Sequence, residues 1–340
     1  MTFDIFNDDA FSLASLTDSL VNAEHLPTLL TDLNVFQTKA IATTTIQVEE
    51  IDGALSLIGF SERGAPIDEG KGNKRKMRNF NTYRIAKGDT ITASEIQNVR
   101  AFGSESELLT AQKVIADRNQ QLVNDVDITK EYHRLAAVQG KLLDSDGTVI
   151  EDYYTTFGVA ANADIVVSMG GTYAAMKTQF NVMIRSMMKE SKGSWISGRT
   201  GVAVLCGHEF FDKFVTSSAI ASTYLNQVQA NELRGEYAMP YDMVKVFGIT
   251  FIDYRGTDDG TTVSIAADKA AVFPIGGNGI FMEYQAPGED LSVANTMGRP
   301  VYANLVRDNA RNFWVRPEVY AYGNTLCLRP KMLNTLKVGA

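Results

Sequence analysis

The chain has 340 residues, of which 45% are apolar and 21% are charged, and its net charge is −8. This length and apolar content suffice for one or two packed cores, and the negative charge argues against a general affinity for nucleic acid. No apolar run approaches the roughly 18 residues of a membrane span, and residues 1–9 lack the basic start of a signal peptide. The two cysteines are too few for a disulfide framework. We therefore expect a soluble, unexported protein in a reducing compartment, without a membrane partner.

The first 50 residues are predicted to form an arm with little core of its own. They carry eight acidic side chains and one basic side chain, a net charge of −7. Their short apolar clusters are spaced for one or two short helices, which would be marginal in isolation. The β-branched residues between 43 and 48 then indicate extended chain.

Residues 51–90 are predicted to form a long hairpin with an irregular tip. Residues 51–87 carry eight basic and four acidic side chains, a net charge of +4, and five of the basic residues lie within Lys71–Arg78. Two isolated strands are marginal in water, and long loops in compact domains are usually functional or disordered. We therefore expect this hairpin to be supported by other copies of the chain.

A long helix is predicted over Ser104–Gly140. No Gly or Pro lies between these ends, and apolar residues recur three and four positions apart, which is typical of a helix with one buried face. Ser104 and Glu107 have the spacing of a capping box, and Gly140 is a natural stop. Such a helix would span about 50 Å, so we expect the fold to be organised around it as a spine.

The chain beyond the spine alternates between strands and helices. A hairpin is predicted over Leu142–Tyr154, turned at Asp144–Gly147, and a compact α/β unit is predicted to follow it. The predicted helices of this unit are the stripe from Tyr173 to Met187, His208–Thr216 and Ser218–Leu233. Its predicted strands are Val202–Cys206, Met243–Phe247, Thr250–Tyr254, Ala270–Phe273 and Ile280–Glu283. Further strands are predicted at Val301–Val306, Phe313–Arg316 and Val319–Leu328, the last of them broken at Gly323.

The motifs that resemble chemical sites are better explained as turns. Asp144–Gly147 opens like a calcium loop, but Thr155 stands where a bidentate Glu is required. Cys206 and His208 fit a strand-to-helix turn better than a nucleophilic pair. The glycines of 276–279 lack the Lys-Ser/Thr of a phosphate loop. We therefore predict no enzyme activity, no catalytic residue, no cofactor and no metal site.

Several segments, in a consistent order, resemble the lambda-type major capsid protein family of tailed bacteriophages. The segments are Phe3-Asp4, Asp9–Ser12, Ser15–Thr17, Leu33–Phe36, Thr43–Thr45, Arg63–Pro66, Arg78–Phe80, Arg100–Gly103, Ala286-Pro287 and Asn295–Ala303. This resemblance implies an α+β fold of the Hong Kong 97-like capsid type. Residues 1–50 would be the N-terminal arm, 51–90 the extended E-loop hairpin, 91–160 the P-domain with its spine helix (about 104–140), 161–284 the α/β A-domain, and 285–340 the returning P-domain strands and C-terminus.

The resemblance also implies a function. Family members are structural major capsid (head) proteins that assemble as hexamers and pentamers into an icosahedral shell, which encloses double-stranded DNA without reading its sequence. The implied partners are the chain itself, a separate scaffolding protein and a portal, with a decoration protein left open. The implied location is the virion, after assembly in the host cytoplasm. Two alternatives stay open: an encapsulin-like compartment shell, which the long arm disfavours, and a cytosolic α/β enzyme, which leaves the first 90 residues unexplained.

The opposite charges of the first two segments predict an interface between copies. The basic run could hold DNA, but it lacks interleaved aromatic residues, so an acidic protein partner is favoured. A long hairpin also reaches beyond its own domain. We predict that the acidic arm of one copy contacts the basic hairpin of its neighbour through Asp4, Asp8, Asp9, Asp18, Lys71, Lys74, Arg75, Lys76 and Arg78.

Overall fold

The computed structural model describes residues 29–52, 74–97, 107–221, 242–254, 256 and 264–339. In chain order the elements are α1 (Leu29–Asp32), β1 (Gln37–Ala40), β2 (Thr45–Asp52), β3 (Lys74–Asn81), β4 (Tyr83–Gly88), β5 (Ile91–Thr92), α2 (Ala93–Gln97), α3 (Glu107–Val138), β6 (Lys141–Leu143), β7 (Val149–Asp152), α4 (Tyr153–Phe157), β8 (Ile165–Ser168), α5 (Tyr173–Glu190), β9 (Gly201–Cys206), α6 (His208–Thr216), β10 (Met243–Val246), β11 (Ile249–Asp253), β12 (Lys269–Ile275), β13 (Phe281–Gln285), β14 (Tyr302–Arg307), β15 (Trp314–Cys327), a 3-10 helix (Pro330–Met332) and β16 (Asn334–Gly339). None of the helices in these ranges is long and apolar enough to cross a membrane.

Helix α3 is the predicted spine. It extends over 32 residues, or about 48 Å, and its buried stripe includes Ile115, Leu122 and Val126. The helix ends just before Gly140, whose φ of +84° is left-handed. A Cβ at Gly140 would lie 2.4 Å from the ring of Tyr154, so glycine is required there for both reasons. The predicted capping box at Ser104 lies outside the described residues.

A six-stranded sheet, here called the spine sheet, packs one face against α3. It contains β1, β4, β5, β13, β14 and β15, and Val319 and Ala321 of β15 pack beneath Leu122 and Val126. The predicted break at Gly323 is wrong, because β15 continues through that residue for 14 residues in all. A Cβ at Gly323 would lie 2.0 Å from the carbonyl oxygen of Tyr284, so close strand approach explains this glycine.

A second six-stranded sheet forms the core of the α/β unit, in the order β10-β11-β9-β12-β16-β8. Its central strands are almost continuously buried, as expected of strands covered on both faces. Helices α5 and α6 cover one face with stacked rings: the Phe214 and Phe251 centroids are 4.3 Å apart, and Phe180 meets Phe251 edge-on at 5.6 Å. The other face packs against the end of α3 and against β13.

The strand pairing crosses two of the expected domain boundaries. Strand β16 pairs with β12 and β8 in the second sheet, although 285–340 were expected to return to the spine helix. Strand β13 pairs with β15 in the spine sheet, although 161–284 were expected to form one unit. Both pairings join segments far apart in the chain, which a local hydrophobic pattern does not encode.

Most local predictions for the described residues are confirmed. The predicted hairpin at Leu142–Tyr154 is formed by β6 and β7, with Gly147 at a φ of +82°. Helices α5 and α6 lie where they were expected. The helix predicted at Ser218–Leu233 falls largely outside the described residues. Strand β2 begins at Thr45, so the hairpin starts inside the segment that was expected to be arm.

Candidate assembly interface

Strands β2 and β3 form a two-stranded ribbon that is attached to the rest of the protein at one end. They pair from Thr45 with Asn81 to Asp52 with Lys74 and, among the described residues, with no further strand. Of their described side chains, Ile46 and Phe80 are buried, and both lie at the end nearest the spine sheet. Met77, farther along, is 65% exposed. The ribbon therefore has a packed base and an uncovered body.

Arg78 attaches the base of this ribbon to helix α4. Its guanidinium donates hydrogen bonds to the carbonyl oxygens of Thr156 and, at 3.1 Å, Phe157. The same group lies 5.1 Å from the centre of the Phe157 ring, and the Phe80 and Phe157 rings are 5.9 Å apart. These carbonyls form the negative end of α4, so a cation is favourable there.

The basic residues predicted at the interface therefore have different surroundings. Arg78 is held within its own chain, whereas Arg75 makes an exposed ion pair with Glu49 of the same ribbon at 3.2 Å, a contact worth about 0–1 kcal/mol. The side chain of Lys76 is exposed. Lys74 begins β3, but its side chain lies outside the described part of the protein.

The acidic residues of the predicted interface all belong to the arm. Asp4, Asp8, Asp9 and Asp18, together with Lys71 of the hairpin, lie outside the described residues. The contact between arm and hairpin of neighbouring copies thus stays a prediction, with Arg75, Lys76 and the segment around Lys74 as its described side.

The root of the arm is held by a buried charge cluster on α3. Glu131 Oε1 accepts the backbone N–H of Leu30 at 2.9 Å. Arg134 donates to Thr31 Oγ1 at 2.5 Å and to Glu283 Oε2 of β13 at 2.7 Å, and it lies 3.6 Å from Glu131 Oε2. One arginine therefore ties α1, the spine helix and the spine sheet together.

Burial perturbs the titration of this cluster. It raises the pKa of Glu131, against the opposing effect of the Leu30 N–H and of Arg134. It lowers the pKa of Lys130, whose ammonium donates to the carbonyl oxygen of Pro300 at 2.9 Å. It also lowers the pKa of His133. Perturbed groups of this kind occur at catalytic sites and also in structural ion-pair networks, and here the contacts are with backbone and with other charged side chains.

Residues 12–338 match the protein family described as phage major capsid protein E. The chain belongs to this family. It is 26% identical to the major capsid protein of Salmonella phage Felix O1, over 97% of each chain. The fold matches that of the mature capsid of bacteriophage PhiM1, with a TM-score of 0.53, 10% identity and coverage of 93% of this chain and 89% of that one. It also matches a protein of Escherichia coli CFT073 assigned as a prophage capsid protein, with a TM-score of 0.58, 11% identity and coverage of 96% and 99%.

Membership in this family confirms the resemblance, the Hong Kong 97-like α+β fold and the function of a phage major capsid protein, a virion component that self-associates. The family is structural, so the chain is not an enzyme. The encapsulin-like alternative is weaker, because the matching family and the curated relatives are phage proteins.

The two residues of the motif Cys206–His208 lie in different surroundings. Cys206 is fully buried at the end of β9, and burial raises the pKa of its thiol well above the usual range, which suppresses the thiolate that a nucleophile requires. His208 lies on the exposed first turn of α6. No group of three or more potential metal ligands is found among the residues that the structure describes.

Two anchors were missed at the level of sequence. The sequence places Arg78 in the basic run of the hairpin, and it does not distinguish Glu131 or Arg134 from the other charged residues of the long helix. A signal for Arg78 was its position two residues before Phe80, on the same face of a strand. No local pattern pointed to the pairing of Arg134 with Glu283, because 149 residues separate them.

Proposed function

We propose that this capsid protein assembles as hexamers and pentamers into a closed icosahedral shell that encloses double-stranded DNA. The observation that carries this proposal is the β2–β3 ribbon, whose described side chains are buried at its base and exposed along its body. Two strands alone are marginal in water, so neighbouring copies are the natural source of the missing contacts.

The partners proposed with this function are a scaffolding protein and a portal, with assembly in the host cytoplasm before incorporation into the virion. The place of a decoration protein stays open. The support for these partners is membership in a capsid family. The shell would enclose DNA without binding it tightly, because the chain carries a net charge of −8.

The regions proposed for this shell protein are an arm over 1–50, a hairpin over 51–90, a spine-helix domain over 91–160 and 285–340, and an α/β domain over 161–284. Strand β13 pairs with β15, and strand β16 pairs with β12, so these two strands link the last two regions. Within the shell, the acidic arm of one copy would contact the basic hairpin of the next.

The direct test is to express the chain with the scaffolding protein of its phage and to examine the product by gradient sedimentation and electron microscopy. We expect closed shells with hexameric and pentameric clusters. A matched control replaces residues 53–73 by a Gly-Ser turn, which retains the ribbon base, and should give a folded chain that does not form shells. A wild-type chain that stays folded and monomeric with scaffold present would contradict the proposal.

A further inference from the structure

The face of the spine sheet opposite α3 carries a pocket walled by tyrosine rings. Tyr320 and Tyr322 lie two residues apart on β15 and therefore share a face, and Tyr302 stands beside them on β14. The ring centroids are 6.2 Å apart for Tyr320 and Tyr322 and 5.9 Å apart for Tyr302 and Tyr322. The pocket has a volume of about 140 Å³, which is enough for the polar end of a side chain.

Two carboxylates stand on the rim of this pocket. Glu289 accepts a hydrogen bond from the Tyr322 hydroxyl at 3.3 Å and pairs with Arg84 at 2.9 Å, and its side chain is 63% exposed. Asp290 accepts from the N–H and hydroxyl of Ser292 at 2.8 and 2.6 Å. With Arg84 counted, the rim keeps an excess of negative charge. Burial, with the hydrogen bond to Glu318, raises the pKa of Tyr320 to about 12, so its ring stays an uncharged phenol.

Aromatic faces beside carboxylates are the chemistry that recognises a cation. The electron-rich faces attract an ammonium or guanidinium group, and the carboxylates provide charge-assisted hydrogen bonds. We propose that this tyrosine pocket binds a lysine or arginine side chain of a second copy of the chain. The inference rests on the proposed shell, in which every copy is surrounded by others.

Charge complementarity identifies the side chain within the second copy. Positive charge is most concentrated in Lys71–Arg78, where the described side chains of Arg75 and Lys76 are exposed. Met77, which follows Lys76 on β3, is 65% exposed, and Leu291 beside the pocket is 94% exposed, so an apolar contact can accompany the charged one. The pocket thus offers the basic ribbon a partner other than the acidic arm.

The ribbon of the same chain is badly placed to fill its own pocket. Strands β3 and β4 are joined by Thr82 alone, and a single residue is too short to reverse the chain as a hairpin turn does. Arg84 pairs with Glu289 on the pocket rim, and Arg75 lies nine positions before Arg84. In extended chain this separation is about 30 Å. A ribbon cation that enters the pocket beside Arg84 must therefore come from a neighbour.

Carbodiimide cross-linking of assembled particles tests this inference. The reagent activates a carboxylate, which then forms an amide with a lysine amine held in contact with it. Particles assembled from equal amounts of light and heavy nitrogen-labelled chains are cross-linked, digested and analysed by mass spectrometry. We expect light–heavy peptides that join Glu289 or Asp290 to Lys71, Lys74 or Lys76. Particles in which these lysines join Asp4, Asp8, Asp9 or Asp18 instead, or join nothing near residue 289, would overturn the pocket. Failure to form particles at all would count against the shell itself.

Substitutions at Tyr322 separate recognition by the ring from general packing. Tyr322→Leu removes the aromatic face and should lower the cross-link yield about two- to five-fold. Tyr322→Phe retains the ring and should retain most of the yield. Phe313→Leu changes an exposed aromatic residue outside the pocket and should leave the yield unchanged. Equal losses in the Leu and Phe variants, with unchanged thermal unfolding of the free chains, would contradict binding by the ring.

Discussion

The second sheet and the β2–β3 ribbon are both built from β-strands, but they differ in how much of their stability comes from their own chain. Strands β9, β11 and β12 are buried on both faces and meet the rings of α5 and α6. The ribbon satisfies its backbone by pairing two strands, but it buries Ile46 and Phe80 alone among its described side chains. A domain with its own core can fold before assembly, whereas a segment with so little buried surface gains its stability from its neighbours.

The largest effect should come from the ring cluster of the second sheet. Phe214→Ala removes a fully buried ring that stacks on Phe251, so we expect a loss of about 3–5 kcal/mol in the free energy of unfolding. Urea unfolding of the unassembled chain measures it. Val182→Ala, on the exposed face of α5, should change stability by less than about 0.5 kcal/mol. Equal effects would mean that this core is not the stable part of the molecule.

The second-largest effect on stability should come from the charge cluster at the root of the arm. Arg134→Ala leaves the carboxylates of Glu131 and Glu283 buried without their common partner, so we expect a loss of about 3 kcal/mol. Arg185→Ala, an exposed arginine on α5, is the matched control and should be nearly neutral. A neutral Arg134→Ala would show that α1 is not fastened to the spine helix by this cluster.

A pH effect should follow from His133. Because burial lowers its pKa in the folded state, its contribution to stability is present above the unfolded value of about 6.5 and is lost as the pH falls from there through the folded pKa. The slope from one such group is at most about 1.4 kcal/mol per pH unit. Glu131, whose pKa is raised by burial, contributes in the opposite direction, because the cost of its buried charge is relieved as the pH falls through its folded pKa.

Measuring the unfolding free energy of wild type and His133→Gln between pH 7.5 and 5.5 isolates the contribution of His133. The variant should lose less stability than wild type as the pH falls. His208→Gln, which changes an exposed histidine, should follow the wild-type profile. Parallel profiles for wild type and His133→Gln would contradict the assignment.

The long spine helix and the α5 stripe could be predicted from sequence because their signal is local, in apolar residues three and four positions apart. Three features could not be predicted from sequence: the ends of the ribbon, the placement of β16 between β12 and β8, and the parallel pairing of β1 with β13. Gly323 shows why: its sequence signal was a strand break, but the neighbouring Tyr284 carbonyl gives it a different role. At the interface, the basic composition was visible, yet the role of Arg78 depends on Phe157, 79 residues away.

The smallest effect on folding should come from the exposed basic residues of the ribbon. Reversal of Lys74, Arg75 and Lys76 to Glu should change the stability of the free chain by less than about 1 kcal/mol, because it removes one exposed ion pair. Shell assembly should nevertheless be slower, since each contact is repeated in every copy. Added salt should slow assembly of the wild type but speed assembly of the variant, because in the variant it screens a repulsion. Assembly at the wild-type rate and salt dependence would show that these charges make no contact between copies.

Hydrogen exchange before and after assembly tests the comparison of the two regions most directly. In the unassembled chain we expect the amides of Thr45–Asp52 and Lys74–Asn81 to exchange far faster than those of Gly201–Cys206 and Lys269–Ile275. In closed shells the ribbon amides should become strongly protected, while those of the second sheet, protected already, should change little. A ribbon that is equally protected in the free chain and in the shell would contradict the claim that neighbouring copies stabilise it.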